Sequence, residues 1–381
     1  MDCRCRKSLP YFVGIFLIFL SISLLAACNN EKSASSDKAK KSARRETTYT
    51  KASIQAPLQI AEGEFSKVVG WLNDETIVYI TNTNQNSNVY TYHLLSGKQE
   101  KIFESKLPII SAFISPARDK ILLHASSGLT EGSITVIDQT GTKLVEKSIT
   151  STELNFVWNP YDENLLLVTA FNEQWEYNVS LLNIETKKLT EMKFINQPFV
   201  NWNAKNEVIY LNWDLNNPSF FAPLVKQKIN GAKEETLDLE NVFQIYAYRN
   251  CLLTIEVDEK TPDQSVYTFL SEDSKPIASF SIPHLTRFSD WLVPEHTFNQ
   301  ARNEFYTLRP KSSGAADTYR EGFQLVRYQL DRNNGEELLL DGLENKPISV
   351  SPAGEFCLYG HQLENIIILD TKELVSLVVD K

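Results

Sequence analysis

From Phe65 onward the chain alternates apolar runs with short polar turns, and the alternation repeats. Each unit opens on a short apolar segment, turns through polar residues and enters a hydrophobic strand. The openings include Gly70-Trp71-Leu72-Asn73-Asp74-Glu75 before Thr76-Ile77-Val78-Tyr79-Ile80, and Trp158-Asn159-Pro160-Tyr161-Asp162-Glu163 before Asn164-Leu165-Leu166-Leu167-Val168. Trp202-Asn203-Ala204-Lys205-Asn206 and Phe298-Asn299-Gln300-Ala301-Arg302-Asn303 open two later units. An alternating strand follows in each, closed by a tight turn such as Ser96-Gly97, Thr140-Gly141 or Asn230-Gly231. Glycine at these points supplies the positive φ that a two-residue hairpin needs. Helical periodicity is absent, and the gaps have hairpin length, which argues against parallel βαβ crossovers. The period of about 44 residues, with three hairpins per unit, predicts four-stranded antiparallel blades. The fold class expected is therefore all-β, a single β-propeller of about seven blades. Six is the alternative count, because the fifth unit is weak and the sixth is long.

The first residues read differently. Arg4, Arg6 and Lys7 precede 17 uncharged residues, Tyr11 to Ala27. That stretch is shorter than the ~20 residues a membrane-spanning helix prefers and ends in small residues, as a cleaved signal does. Its end, Leu25-Ala26-Ala27-Cys28, resembles the lipobox of bacterial lipoproteins. The resemblance implies cleavage after Ala27 and acylation of Cys28 as a diacylglyceryl thioether carrying palmitate-type chains. It also implies attachment to the extracytoplasmic face of the cell membrane. Residues 28–57 hold Lys32, Lys38, Lys40, Lys41, Arg44, Arg45 and Lys51 among small polar residues. So few large apolar side chains cannot offset the entropy of ordering, which predicts a disordered basic linker. The expected organisation is a signal peptide over 1–27, the lipidated cysteine and linker over 28–57, and a propeller over 58–381.

Charge and cysteine content narrow the function. The chain has 38 basic and 48 acidic residues, a net charge of −10. Loss of residues 1–27 leaves 35 basic and 47 acidic residues. A body this acidic repels a phosphate backbone, so nucleic acid is not expected as a partner. Beyond Cys28 only Cys251 and Cys357 remain, each between apolar neighbours. Two such thiols make no disulfide scaffold and are expected as small buried apolar residues.

Two openings carry a family resemblance. Ile114-Ser115-Pro116-Ala117-Arg118-Asp119-Lys120 and Val350-Ser351-Pro352-Ala353-Gly354-Glu355 are similar to the Ser-Pro-Asp-Gly-Lys turn of TolB-type propeller repeats, with alanine in the aspartate position. Together with the lipobox, they make the whole chain resemble the YqgU-like β-propeller lipoproteins of Gram-positive bacteria. The resemblance implies an architecture and a location and lends no activity.

Catalytic motifs do not emerge from the sequence. The five histidines stand apart, no Gly-x-Ser-x-Gly elbow occurs, and Asp331-Arg332-Asn333-Asn334-Gly335 reads as a hairpin turn rather than a calcium loop. No catalytic residue, metal or cofactor is assigned. The informative segments are the loops between second and third strands, which share one face of a propeller with the connections between blades. They contribute Phe171, Trp175 and Tyr177, then Trp213, Phe220 and Phe221, and in the longest insertion Tyr319 and Arg320. Aromatic rings beside asparagines stack on sugars or anchor a protein partner. The expectation is a membrane-anchored, non-enzymatic scaffold or binding module for an envelope protein or cell-wall glycan. A solute- or glycan-binding lipoprotein with a central-channel site is the first alternative, and a channel-site hydrolase or lyase the second.

Overall fold

The computed structural model describes residues 48–379 apart from 215, 218, 240, 258–260, 262 and 332–334. The lipobox, Cys28 and the first part of the expected linker lie outside the described residues. Within them, seven four-stranded antiparallel sheets follow one another, each built from consecutive strands except the sixth, whose second and third strands are separated by a short strand of another sheet. They occupy residues 64–105 (blade 1), 109–150 (blade 2), 153–191 (blade 3), 201–237 (blade 4), 242–283 (blade 5), 296–343 (blade 6) and 348–376 (blade 7). The fifth unit, weak in sequence because its turn Tyr248-Arg249-Asn250 lacks tryptophan and proline, forms a complete sheet.

Position within a blade dictates composition. The second strands, such as Leu165–Phe171 and Glu304–Pro310, are buried almost along their whole length. They are covered by a neighbouring blade on each face, so they read as continuous apolar runs rather than alternations. Fourth strands such as Lys188–Glu191 are largely exposed and polar. First strands of neighbouring blades approach one another around the axis, blade 1 against 2 and blade 6 against 7 among them.

The cores show that the ring is closed. Seven clusters of buried side chains occur, and each is shared by two adjacent blades. An open stack of seven sheets has six interfaces; the seventh joins blade 1 to blade 7, where Trp71, Tyr79 and Tyr90 meet Phe356, Leu358 and Ile366. Trp71 and Trp202 are buried and tie their blades to the preceding one, donating their indole N–H to Ser349 O (2.9 Å) and Val157 O (3.1 Å). Trp158 instead donates within its own turn, to Glu163 O at 2.9 Å.

The seam between first and last blades is closed without exchange of a strand. A strap of chain ahead of blade 1 covers it. Gln55 N–H donates to Leu94 O of blade 1 (2.7 Å), and Leu58 N–H donates to Leu377 O beyond the last strand of blade 7 (2.7 Å). Ile54 and Leu58 are buried in the shared cluster, and the Tyr49 ring lies 4.8 Å from Phe356. The last part of the expected linker, residues 28–57, therefore packs on the ring through Tyr49, Ile54 and Ala56. Its few apolar residues find a preformed groove, which supplies the burial that the segment could not generate alone.

The long insertion of blade 6 also folds. Gly314–Ala315 pairs in parallel with Leu285–Thr286, which pairs antiparallel with Trp291–Leu292, making a small three-stranded sheet beside the ring. Cys251 and Cys357 are buried free thiols, and burial raises both to about 12. Among the described residues no helix is long and apolar enough to cross a membrane.

Candidate functional site

The sheet topology puts the connections between blades and the second-to-third strand loops at one end of the first strands. At that end, between blades 3, 4 and 5, a cavity of about 470 Å³ opens at the channel mouth. Blade 3 supplies Asn155 and Val157 from its first strand. The connection into blade 4 supplies Gln197 and Phe199, and blade 4 itself supplies Asn201 and Trp213. The first strand of blade 5 completes the wall with Phe243, Gln244 and Tyr246. No Asp, Glu, Lys, Arg or His lines it.

Four side-chain amides thus face aromatic walls without a formal charge. Gln197 is buried and fixed, donating to Asn212 Oδ1 (3.1 Å) and Trp213 O (3.0 Å). Gln244 donates to the Tyr246 hydroxyl at 2.6 Å. Burial, with the Glu295 carboxylate adding to it, pushes that phenol up to about 12, so it stays neutral. The side chains of Asn155 and Asn201 hydrogen-bond to no other described residue, so their donors and acceptors are open to a ligand.

Aromatic rings rim the mouth on both sides. On the blade 3 side, Phe171 is buried and forms a pedestal for Trp175 (5.8 Å), Phe199 (6.0 Å) and Tyr177 (6.1 Å). Trp175 is 68% exposed and Phe199 61%. Trp175 sits at φ 62°, in a turn where Asn172 Oδ1 accepts from Gln174 N–H and Glu176 N–H. A bulky side chain in this left-handed region is strained by on the order of 1–3 kcal/mol and projects into solvent. On the blade 5 side, Trp291 of the small sheet is the hub. Phe221 stacks on it at 5.8 Å, while Phe220 and Phe243 meet it edge-on at 5.5 and 5.1 Å.

The residues expected on this face therefore divide. Trp213 lines the cavity, Trp175 and Phe220 stand on its rim, and Phe171, Tyr177 and Phe221 support the rim from below. Tyr177 and Phe171 belong to strands rather than the loop between them, and the Tyr177 hydroxyl donates to Asn196 O at 2.6 Å. Tyr319 and Arg320 are not brought to the cavity. The Tyr319 hydroxyl accepts from Lys311 N–H (2.7 Å) and donates to Gly322 O (2.9 Å), holding the insertion together. Arg320 is exposed and donates to Tyr319 O. Sequence reasoning missed Asn155, Gln197, Asn201, Phe243, Gln244 and Trp291. The one local signal was an amide on a first strand, whose neighbours are otherwise apolar or aromatic.

Residues 93–360 match the family described as the YqgU-like 6-bladed beta propeller domain. The chain belongs to this family. The matched window begins at the last residue of the third strand of blade 1 and stops within blade 7. It contains blades 2–6 whole, whereas the chain folds into seven four-stranded sheets. A curated relative, the uncharacterized lipoprotein YqgU of Bacillus subtilis, is 25% identical over 312 residues, covering 82% of this chain and 84% of the relative. Among solved structures, the uncharacterized protein lmo1340 of Listeria monocytogenes is 23% identical with a TM-score of 0.77, covering 85% of this chain and 97% of that one. An oligogalacturonate lyase in complex with manganese is 9% identical with a TM-score of 0.54, covering 78% and 85% respectively. At these identities the two structures share the fold alone. Among the described residues no three His, Cys, Asp or Glu side chains are grouped to hold a metal ion.

Proposed function

We propose that this YqgU-like propeller is a lipid-anchored, non-enzymatic binding module whose channel-mouth cavity takes a neutral envelope glycan. The uncharged wall carries the reading: four amides and four aromatic side chains with no ionisable group but a neutral phenol. Sugars present hydroxyls to amides and C–H faces to aromatic rings, and a neutral sugar brings no charge that this wall must desolvate. Catalysis by proton transfer or metal activation needs groups that the wall does not contain. Anchoring through Cys28 on the extracytoplasmic face is supported by Leu25-Ala26-Ala27-Cys28 and by the name of the Bacillus relative, a lipoprotein.

The test is calorimetric titration of the full chain in detergent with neutral N-acetylhexosamine oligosaccharides. Each neutral hydrogen bond contributes about 0.5–1.5 kcal/mol, so Asn155→Ala with Asn201→Ala should weaken binding about tenfold or more. Thermal stability should hold, because neither amide bonds another described residue. Absence of binding at millimolar sugar, or affinity unchanged in the double variant, would overturn the reading. The exposed rim favours a second reading, an envelope protein seated over the mouth. Crosslinking in intact cells that captures a protein with the native chain, and not with Trp175→Ala/Phe220→Ala, would select it.

A further inference from the structure

The channel has a second mouth with different chemistry. Val157, which lines the first cavity, also lines a cavity of about 410 Å³ at the opposite end of the first strands. The first-to-second strand turns build it: Arg118 from blade 2, Trp158 and Glu163 from blade 3, Tyr248 and Arg249 from blade 5, and Phe298 from blade 6. Tyr248 and Phe298 pack at 4.7 Å, so one wall is aromatic.

Arg118 is out of place in its turn. It has φ 63°, and its N–H donates to Ser115 O at 2.8 Å. The matching turn of blade 7 has the same bond, Gly354 N–H to Ser351 O at 2.9 Å, with φ 72°. In both turns the preceding alanine N–H donates to a carboxylate of the next blade, Ala117 to Glu163 Oε1 (2.6 Å) and Ala353 to Asp74 Oδ1 (2.5 Å). The turns of blades 5 and 6 use Asn250 and Asn303 in left-handed conformation. Glycine and asparagine are the residues that tolerate this region; arginine is strained there. Lys187 and Lys372 also adopt positive φ, but in exposed hairpin turns. Arg118 is half-buried, and its guanidinium forms no hydrogen bond or ion pair with a described residue. The Arg249 guanidinium, exposed at the mouth, has no such partner either. Strain at a cavity wall, in a residue whose guanidinium makes no hydrogen bond or ion pair with a described residue, points to a ligand that uses the side chain.

We propose that this second mouth binds a single carboxylate attached to an apolar group, with Arg118 and Arg249 as donors and the Trp158, Tyr248 and Phe298 side chains against the apolar part. Arginine presents paired N–H donors that match a carboxylate. Asp74 and Glu163 beside Arg118 offset part of its charge, which suits a monoanion and disfavours a phosphate dianion. The aromatic wall gives no purchase to a ligand that is only an ion. A peptide with a free C-terminus and a free amphipathic carboxylic acid share this chemistry. The site is separate from the glycan cavity and does not depend on it.

The experiment titrates the full chain in detergent with acetyl-Leu-Phe, with its C-terminal amide and with hexanoate, followed by calorimetry. Acetyl-Leu-Phe should bind, and its amide should bind at least about tenfold more weakly. Hexanoate that binds as tightly as the peptide identifies the free acid as the source; peptide binding alone identifies a C-terminus. Arg118→Gly should lose at least about tenfold in affinity while the Tm holds or rises, because glycine accepts the same φ without strain. Arg249→Gln should weaken binding in the same direction without altering the fold. Equal binding of acid and amide, no binding of either acid at millimolar concentration, or a marked fall in Tm in Arg118→Gly with affinity intact would overturn the proposal.

Discussion

Replacing Ile54 and Leu58 together by alanine tests whether the strap holds the ring shut. Both side chains are buried in the cluster shared by blades 1 and 7, and they belong to a segment that precedes either blade. Large-to-alanine changes in cores cost about 2–5 kcal/mol each, with the low end where surroundings collapse easily. The strap lies at the edge of the molecule, so about 2 kcal/mol each, or about 4 for the pair, is the expected loss. The two sites share a cluster, so strict additivity is not expected. In a body of this size each kcal/mol moves the Tm by about 2 °C, giving a fall of about 8 °C. The discriminating readout is native-state hydrogen exchange. Amides of blades 1 and 7 should lose protection first, while blade 4, across the ring, keeps it. Val168→Ala with Leu182→Ala, in the cluster between blades 2 and 3, is the control and should instead weaken protection there. Loss spread evenly around the ring in the strap variant, or a Tm unchanged from the native chain, would refute the claim that this seam depends on the strap.

Two further outcomes follow from single residues. Cys28→Ser should leave the chain in the aqueous phase of a detergent partition or as an unprocessed precursor, and a processed variant that still partitions with detergent would remove the anchor. Glu304 is only 3% exposed; burial pushes its carboxyl up, but the hydrogen bonds from Arg302 and Tyr306 and the nearby charge of Arg327 outweigh this and hold it below the usual range. A depressed folded value stabilises above the unfolded value near 4.3 and is lost as pH falls through the folded one. Glu304→Gln should therefore lower stability at neutral pH and flatten its decline below about pH 4, measured by urea midpoints across pH; parallel profiles for both proteins would contradict the assignment.

The strands were legible because burial on both faces demands it. Thr76-Ile77-Val78-Tyr79-Ile80 has few other ways to hide its side chains, and hairpin turns such as Ser96-Gly97 fix where the chain reverses. The strap was not legible. Tyr49, Ile54 and Leu58 are too sparse to show a period, and they pack in a cluster with Phe356 and Leu377, some 300 residues later in the sequence. The cavity was legible only in part. Trp213 was visible as a loop aromatic, but Asn155, Asn201 and Gln244 lie on three different sheets and meet only where three successive blades pack side by side. Phe171 was misleading for a local reason: its strand continues three pairings beyond the apolar run that ends at Val168, to Phe171 opposite Tyr177 and Glu153, which turns a loop residue into a buried one.

A repeat fold carries its own standard of comparison. Seven sheets meet the same backbone demands, so a departure at one copy separates what the fold needs from what that copy does. The first-to-second strand turns of blades 2, 5, 6 and 7 each place one residue at positive φ, and Asn250, Asn303 and Gly354 accept it at little cost. Arg118 meets it at a cost of on the order of 1–2 kcal/mol and directs a guanidinium to a cavity without a bond of its own. The second-to-third strand turns place Trp175 under the same strain at the rim of the other mouth. Leu363, also at positive φ, packs on the cluster shared by blades 1 and 7, whereas Arg118 lines its cavity and Trp175 is exposed. Arg118 and Trp175 are therefore the positions at which the two proposed ligands, one anionic and one neutral, are tested most directly.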